Sequence, residues 1–170
     1  TATAGHHMEA MLAGYGSGAA RVSSDEGKRI LNIDIGGGTT KLALVEKGRV
    51  TATAAIHIGG RLQVTDANGT IVRLDPAGQH HAAQAGFHWH KGDVIDPALM
   101  DKVADYMADA LFAAIRMRPL PPSLAQLYLT DPIAELGPID GVMFSGGVAE
   151  YVYAREERDF GDLGKRIGAA

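Results

Sequence analysis

Ile30-Leu31-Asn32-Ile33-Asp34-Ile35-Gly36-Gly37-Gly38-Thr39-Thr40-Lys41-Leu42-Ala43-Leu44-Val45 is the stretch whose reading decides the fold. An apolar run leads into one acid, three glycines and two threonines, and a second apolar run leads out. The pattern predicts a strand, a tight glycine turn and a returning strand. Glycine reaches φ > 0 and has no Cβ to obstruct a ligand. Successive N–H groups in such a turn form a concave nest for anions, and the hydroxyls of Thr39 and Thr40 add donors. Asp34 stands at the mouth of the nest, where a carboxylate repels a bare phosphate unless a cation lies between them. Mg²⁺ is commonly held this way, by one or two carboxylates, water and the substrate's own phosphates. The local chemistry points to a Mg-nucleotide. The plainer alternative is a hairpin with a glycine-rich turn, which needs fewer glycines and no flanking acid.

Two other phosphate loops do not fit. A Walker A loop ends in Gly-Lys-Ser/Thr and enters a helix, whereas here Gly38-Thr39-Thr40-Lys41 enters a β-like run. A dinucleotide fingerprint needs a third glycine opening a helix, and Lys41 stands at that place.

Working outward, Lys28–Asp34, Lys41–Glu46 and Arg49–His57 read as three successive strands, with Lys47-Gly48 as a hairpin turn. In the third, Val50, Ala52, Ala54 and Ile56 alternate with more polar neighbours, the period of a half-buried strand. Gly59-Gly60 breaks that run. Arg61–Thr65 and Thr70–Leu74 flank Asp66-Ala67-Asn68-Gly69, where Asn-Gly predicts another hairpin. Pro76 to Gly92 lacks periodicity and reads as loop. Pro97–Met117 reads as the longest helix, with Asp96 as N-cap and Met100, Val103, Met107 and Leu111 on one apolar face. Pro119-Leu120-Pro121-Pro122 ends it, and Leu124–Leu129 stays ambiguous. Gly141–Phe144 reads as a buried strand, Ser145-Gly146-Gly147 as a turn, and Val148 to about Arg158 as a short helix. Before the hairpin, Met8–Ala13 allows one or two helical turns; after it, Asp162–Ala170 shows no packing pattern. Three antiparallel strands, a helix, a strand and a helix give an α/β class in ribonuclease-H-like order, with a β-hairpin inserted after the third strand.

The composition excludes several partners. The 20 acidic and 16 basic residues give a net charge of −4 without a long basic run, which argues against nucleic acid and anionic membranes. No apolar stretch reaches membrane-spanning length. There is no cysteine, hence no disulfide and no thiolate metal site, and a reducing cytoplasm is compatible. Histidines cluster at His80-His81 and His88-Trp89-His90, in a polar segment with no fixed spacing to a carboxylate, so a metal site there is disfavoured and contact with a partner protein is an equal alternative. No Ser-His-Asp set or glycosidase-like pair of acids is present, and no catalytic residue is assigned. At Ser145-Gly146-Gly147 a strand meets a helix N-terminus, where free N–H groups favour a charged or flat ligand; an ordinary turn is as good a reading from these residues alone.

Asp34-Ile35-Gly36-Gly37-Gly38-Thr39-Thr40 resembles the second phosphate motif of the actin-like ATPase superfamily. Together with Ile58-Gly59-Gly60-Arg61-Leu62 and Phe144-Ser145-Gly146-Gly147-Val148, it resembles the ethanolamine ammonia-lyase reactivating factors, the ethanolamine-utilisation protein A family, from Thr1 to about Phe160. The resemblance implies a chaperone-like, ATP- and Mg-dependent cytoplasmic protein that exchanges damaged cobalamin on its partner, ethanolamine ammonia-lyase; the adenosylcobalamin belongs to that partner. It implies Asp34 for Mg²⁺, Gly36, Gly37, Gly38, Thr39 and Thr40 for phosphates, and Gly146 and Gly147 for adenosine. It leaves room for a homo-oligomer. Heat-shock-type relatives carry a second acid where Lys41 stands, so slow turnover or binding alone is expected, with Lys41 either touching phosphate or facing solvent.

Such proteins close nucleotide between two homologous halves, and no second hairpin of this kind occurs here. Residues 28–160 then form the second half's core subdomain, with 58–95 as the insertion, 1–27 as a helical or linker remnant of the preceding half, and 161–170 as a tail. A fragment with one cleft wall is expected to bind nucleotide weakly or undetectably and to be inactive alone, the whole protein being a slow ATPase. The alternatives are a small-molecule kinase of the same superfamily, which lacks an evident acidic base, and a non-enzymatic interaction domain.

Overall fold

The hairpin that the glycines predict is the centre of the structure. A computed structural model describes residues 2–170, and Thr1, the start of the segment expected at 1–27, lies outside them. Strands β1 (Ile30–Ile35) and β2 (Thr40–Glu46) pair antiparallel with Asp34 opposite Lys41 and Ile35 opposite Thr40. β3 (Arg49–Ile56) returns through Lys47 and Gly48, whose φ values of 51° and 77° make the primed turn that matches strand twist. A short antiparallel pair, β4 (Gln63–Thr65) and β5 (Ile71–Leu74), follows around the Asn-Gly turn. β6 (Gly141–Ser145) then lies parallel to β1. The main sheet is mixed, in the order β3-β2-β1-β6, and the class is α/β.

Alternation along the strands splits the sheet into two faces. Leu31, Ile33, Ile35, Leu42 and Leu44 pack against the main helix (Ala98–Arg116), through Met100, Val103, Met107 and Leu111. Asp96 accepts a hydrogen bond from the Ala98 N–H, which satisfies one free donor at that helix's start. The opposite face is covered by α1 (Ala2–Gly16) and α2 (Ala19–Glu26). α1 approaches closely at Gly14, where a Cβ would stand 3.0 Å from Ala43 Cβ and Val50 Cγ2. The one or two turns expected at Met8–Ala13 are therefore part of a continuous packed helix.

Several expectations are corrected. Pro76–Gln84 is a helix, α3, rather than loop, with proline at its first turn and His81, Ala77 and Ala82 buried. The main helix is accordingly α4. Leu124–Leu129 resolves into a short helix, α5 (Pro122–Ala125), and a segment along the outer edge of β3, where the His57 N–H donates to Leu127 O and the Leu129 N–H to Ala55 O. β6 is not a buried strand: it is an edge strand, and Val142 is 47% exposed. The helix expected from Val148 to about Arg158 is only one turn, α6 (Ala149–Val152). Residues 161–170 are not an unpacked tail. They carry α7 (Gly164–Ala169), with Leu163 and Ile167 in the core and the Leu163 N–H donating to Gly60 O.

Candidate functional site

The three glycine motifs meet by direct backbone contact. The Gly60 N–H donates to Gly36 O at 2.9 Å, and the Arg61 N–H to Gly37 O at 2.7 Å. A Cβ on Gly59 would stand 2.5 Å from Gly37 O, and one on Gly146, whose φ is 82°, 2.5 Å from Ile35 O. The fold itself demands glycine at 59 and 146.

Gly37, Gly38 and Gly147 are different. None has φ in the left-handed region, contrary to the reason first given for a glycine turn. A Cβ on Gly38 or Gly147 would meet nothing within 4 Å, and one on Gly37 would make only ordinary contact with the Arg61 stem. Among the described residues, the N–H groups of Gly37, Gly38, Thr39 and Gly147 have no protein acceptor. Gly36, Gly37, Gly60, Arg61, Gly147 and Tyr151 line one open cleft of about 380 Å³. Backbone donors without partners, with open space where side chains are missing, suit an anionic ligand that comes close to the main chain.

Asp34 stands half-buried beside this cleft rather than in its lining. Its Oδ1 accepts a hydrogen bond from Ser145 Oγ at 2.9 Å, and Ser145 Oγ accepts one from Asn32 Nδ2 at 3.0 Å. Asn32 is fully buried and its Oδ1 has no partner among the described residues. One carboxylate, held from one side and backed by a free amide oxygen, fits a hard cation bound through water. Thr40 is buried with its hydroxyl donating to Ile58 O, so that side chain supports the turn and offers no donor to the cleft. Lys41 does not face solvent. It is 5% exposed, and its Nζ donates to Thr39 Oγ1 and lies 2.8 Å from Glu9 Oε2 on α1.

The far wall carries charge and aromatic surface. Burial raises the Tyr151 hydroxyl above its ordinary value, helped by nearby carboxylates. Bonds from Arg158 hold the Glu156 carboxyl down at about 2. A larger hollow of about 900 Å³ lies between α4 and β6, lined mainly by apolar groups such as Leu31, Ile33 and Phe112. It brings together none of the glycine motifs. The histidine segment is split: His81 is a core residue whose Nε2 lies 2.8 Å from His57 O, while His88 and His90 are exposed. Among the described residues, no group of three or more His, Cys, Asp or Glu is placed to hold a metal ion.

A family model described as ethanolamine utilisation protein EutA matches residues 1–170. The chain belongs to the EutA family. It is similar to the ethanolamine ammonia-lyase reactivase EutA of Salmonella typhimurium (strain LT2), at 37% identity over 174 residues covering 99% of this chain and 36% of that protein. It is similar to the protein of the same description from Escherichia coli (strain K12), at 34% identity over the same span and with the same shares. The chain thus spans about a third of the length of these curated EutA relatives.

Sequence reading placed the hairpin and both glycine turns of this EutA-family chain at one site. It did not single out Asn32 and Ser145, which hydrogen bonds link to Asp34, or Arg61, which lines the cleft. The available signals were an asparagine in the middle of an apolar strand and a serine at the end of β6, in register with Asp34.

Proposed function

We propose that this chain is the phosphate- and adenosine-binding wall of an ATP- and Mg-dependent, chaperone-like reactivating factor for ethanolamine ammonia-lyase. The fold behind the reading is the ribonuclease-H-like subdomain of actin-like ATPases, with β4 and β5 as the inserted hairpin. The order β3-β2-β1-β6, with β6 parallel to β1, supports it. The observation that carries the site is the glycine cleft, where Gly37 and Gly147 in the lining, and Gly38 next to Gly37, leave room and free N–H groups that the chain's own packing does not require.

In this reading Gly37, Gly38 and Thr39 hold phosphate through backbone N–H groups, while Gly36, whose own N–H donates to Thr39 O at 3.0 Å, closes the turn rather than offering a donor. Gly146 and Gly147 let adenosine approach the end of β6. Asp34 holds the water shell of Mg²⁺, which supplies positive charge against the phosphates. Ser145 fixes the carboxylate, and Asn32 holds Ser145. Lys41 puts a cation, tied to Glu9, where an acid would assist hydrolysis, so turnover is slow. The opposite wall comes from the part of the EutA relatives that this chain does not span, and with one wall the phosphates stay wet and binding is weak. Nucleotide then biases a cleft between open and closed forms that differ in affinity for the lyase.

The test is reactivation. A full-length EutA-family protein with this cleft should restore activity to a lyase blocked by damaged cobalamin, and should need both ATP and Mg²⁺. Asp34→Ala should abolish the effect. Reactivation that is equally fast without nucleotide overturns the reading.

A further inference from the structure

Arg61 is a cation in the lining of the cleft that the reading above leaves unused. Its backbone is tied to the glycine hairpin, with its N–H donating to Gly37 O at 2.7 Å. Its Cβ, Cγ and Cδ run alongside Gly37, 3.6–3.7 Å from where a Cβ there would stand. The stem is therefore fixed over the turn, while the side chain as a whole is 63% exposed. Among the described residues the head has one weak partner: Nε lies 3.6 Å from Asp162 Oδ2, beyond hydrogen-bond distance.

Asp162 does not depend on Arg61. Its side chain is 10% exposed, and its Oδ1 accepts the Gly164 N–H at 2.9 Å at the start of α7. The same segment is fastened by the Leu163 N–H to Gly60 O and by the Thr65 N–H to Gly161 O. Asp162 therefore stays in place when Arg61 turns away. Of the other cleft charges, the Arg155 guanidinium lies over the Tyr153 ring at 5.2 Å and Glu156 is paired with Arg158, while the Glu150 carboxylate, also in the lining, has no ion-pair partner among the described residues.

We propose that Arg61 is a phosphate-binding residue of this cleft, parked against Asp162 until an anionic ligand takes its guanidinium, so that the site selects phosphorylated nucleotides over nucleosides. The planar guanidinium matches two phosphate oxygens at once, which an ammonium cannot do. Its position beside Gly37 puts that fork next to the free N–H groups of the hairpin, and both then act on one phosphate group. The inference rests on the nucleotide reading of the cleft.

The experiment follows the backbone amides of the ¹⁵N-labelled 170-residue chain by NMR while Mg-ADP, and separately adenosine, is added. Arg61→Ala is expected to weaken Mg-ADP binding roughly tenfold, the loss of one charge-assisted contact. Arg61→Lys recovers part of that loss, and adenosine binds both variants and the native chain alike. Asp162→Asn, which keeps an oxygen for Gly164, should tighten Mg-ADP by freeing Arg61, and this gain should vanish in the Arg61→Ala background. Native-like Mg-ADP affinity in Arg61→Ala overturns the proposal while leaving the nucleotide site standing, and so does equal weakening toward adenosine. Absence of any Mg-ADP binding both in the native chain and in a full-length EutA-family protein that carries this cleft overturns the nucleotide site and this proposal together.

Discussion

Lys41 Nζ lies 2.8 Å from Glu9 Oε2, and this pair ties the first helix to the glycine hairpin. The lysine is buried and the glutamate is not, so the two partners have unequal stakes. Glu9→Gln leaves an ammonium in the sheet with only the Thr39 hydroxyl and a neutral amide for company. It is expected to cost about 1 kcal/mol, between the values of exposed and buried pairs. The hydrogen bond and charge of Lys41 hold the Glu9 carboxyl below its ordinary value. A depressed carboxylate contributes stability that is present above the unfolded value near 4.5 and is lost as pH falls through the folded value. Thermal unfolding at pH 7 and at successively lower pH should therefore show a shallower acid loss in Glu9→Gln than in the native chain.

Glycines 38 and 59 should separate binding from folding. Gly59→Ala puts a Cβ 2.5 Å from Gly37 O and 2.6 Å from Gly38 C. That overlap is with backbone, and it should destabilise the chain by roughly 3 kcal/mol or more. Gly38→Ala meets nothing within 4 Å. It should unfold at the native urea midpoint and yet bind Mg-ADP less well, because its methyl occupies the open space proposed for the phosphates.

Ser145→Ala breaks the chain from Asn32 to Asp34. Asn32 then has neither side-chain atom paired inside the core, at a cost of about 1–2 kcal/mol. Urea unfolding measures that cost. A titration of Mg²⁺ at fixed ADP should show a higher requirement for the metal, since Asp34 loses the hydroxyl that fixes it.

His57 and His81 give the fold a second dependence on pH. Burial pushes both imidazoles below their ordinary value, and in His81 the ring is part of the core beside Tyr106. A base held neutral by the fold contributes stability that is present above the unfolded value near 6.5. It is lost as pH falls from there toward the folded value, because the unfolded chain takes up the proton first. Unfolding free energies should drop between pH 7.5 and 5.5, as roughly spans that window. His81→Phe should flatten the drop.

What could be read from the sequence was whatever local chemistry decides. The β1–β2 hairpin, the Asn-Gly turn and the apolar stripe of α4 all fall within two residues of their expected ends. Contacts distant in sequence decided the rest. α3 was hidden because His80-His81 reads as polar, yet His81 is packed under β3 and against α4. α7 offered only Leu163 and Ile167, one helical turn apart, too short a pattern to read without the Gly60 wall they pack beside. β6 looked buried from its apolar residues, but its place at the end of the sheet leaves Val142 open. The partners of Lys41 and Asp34 lie on α1 and β6, and no local pattern names either.

The central claim is that the glycine cleft binds a Mg-nucleotide through Asp34 and the hairpin. An NMR titration of the labelled chain with ADP, with and without Mg²⁺, in the native protein and in Asp34→Ala, tests it most directly. The account predicts weak binding whose amide shifts concentrate at Gly36–Thr40 and at Gly146 and Gly147, and which falls away when either Mg²⁺ or the Asp34 carboxylate is removed. Shifts elsewhere in the chain, or binding that is the same in Asp34→Ala, would contradict it.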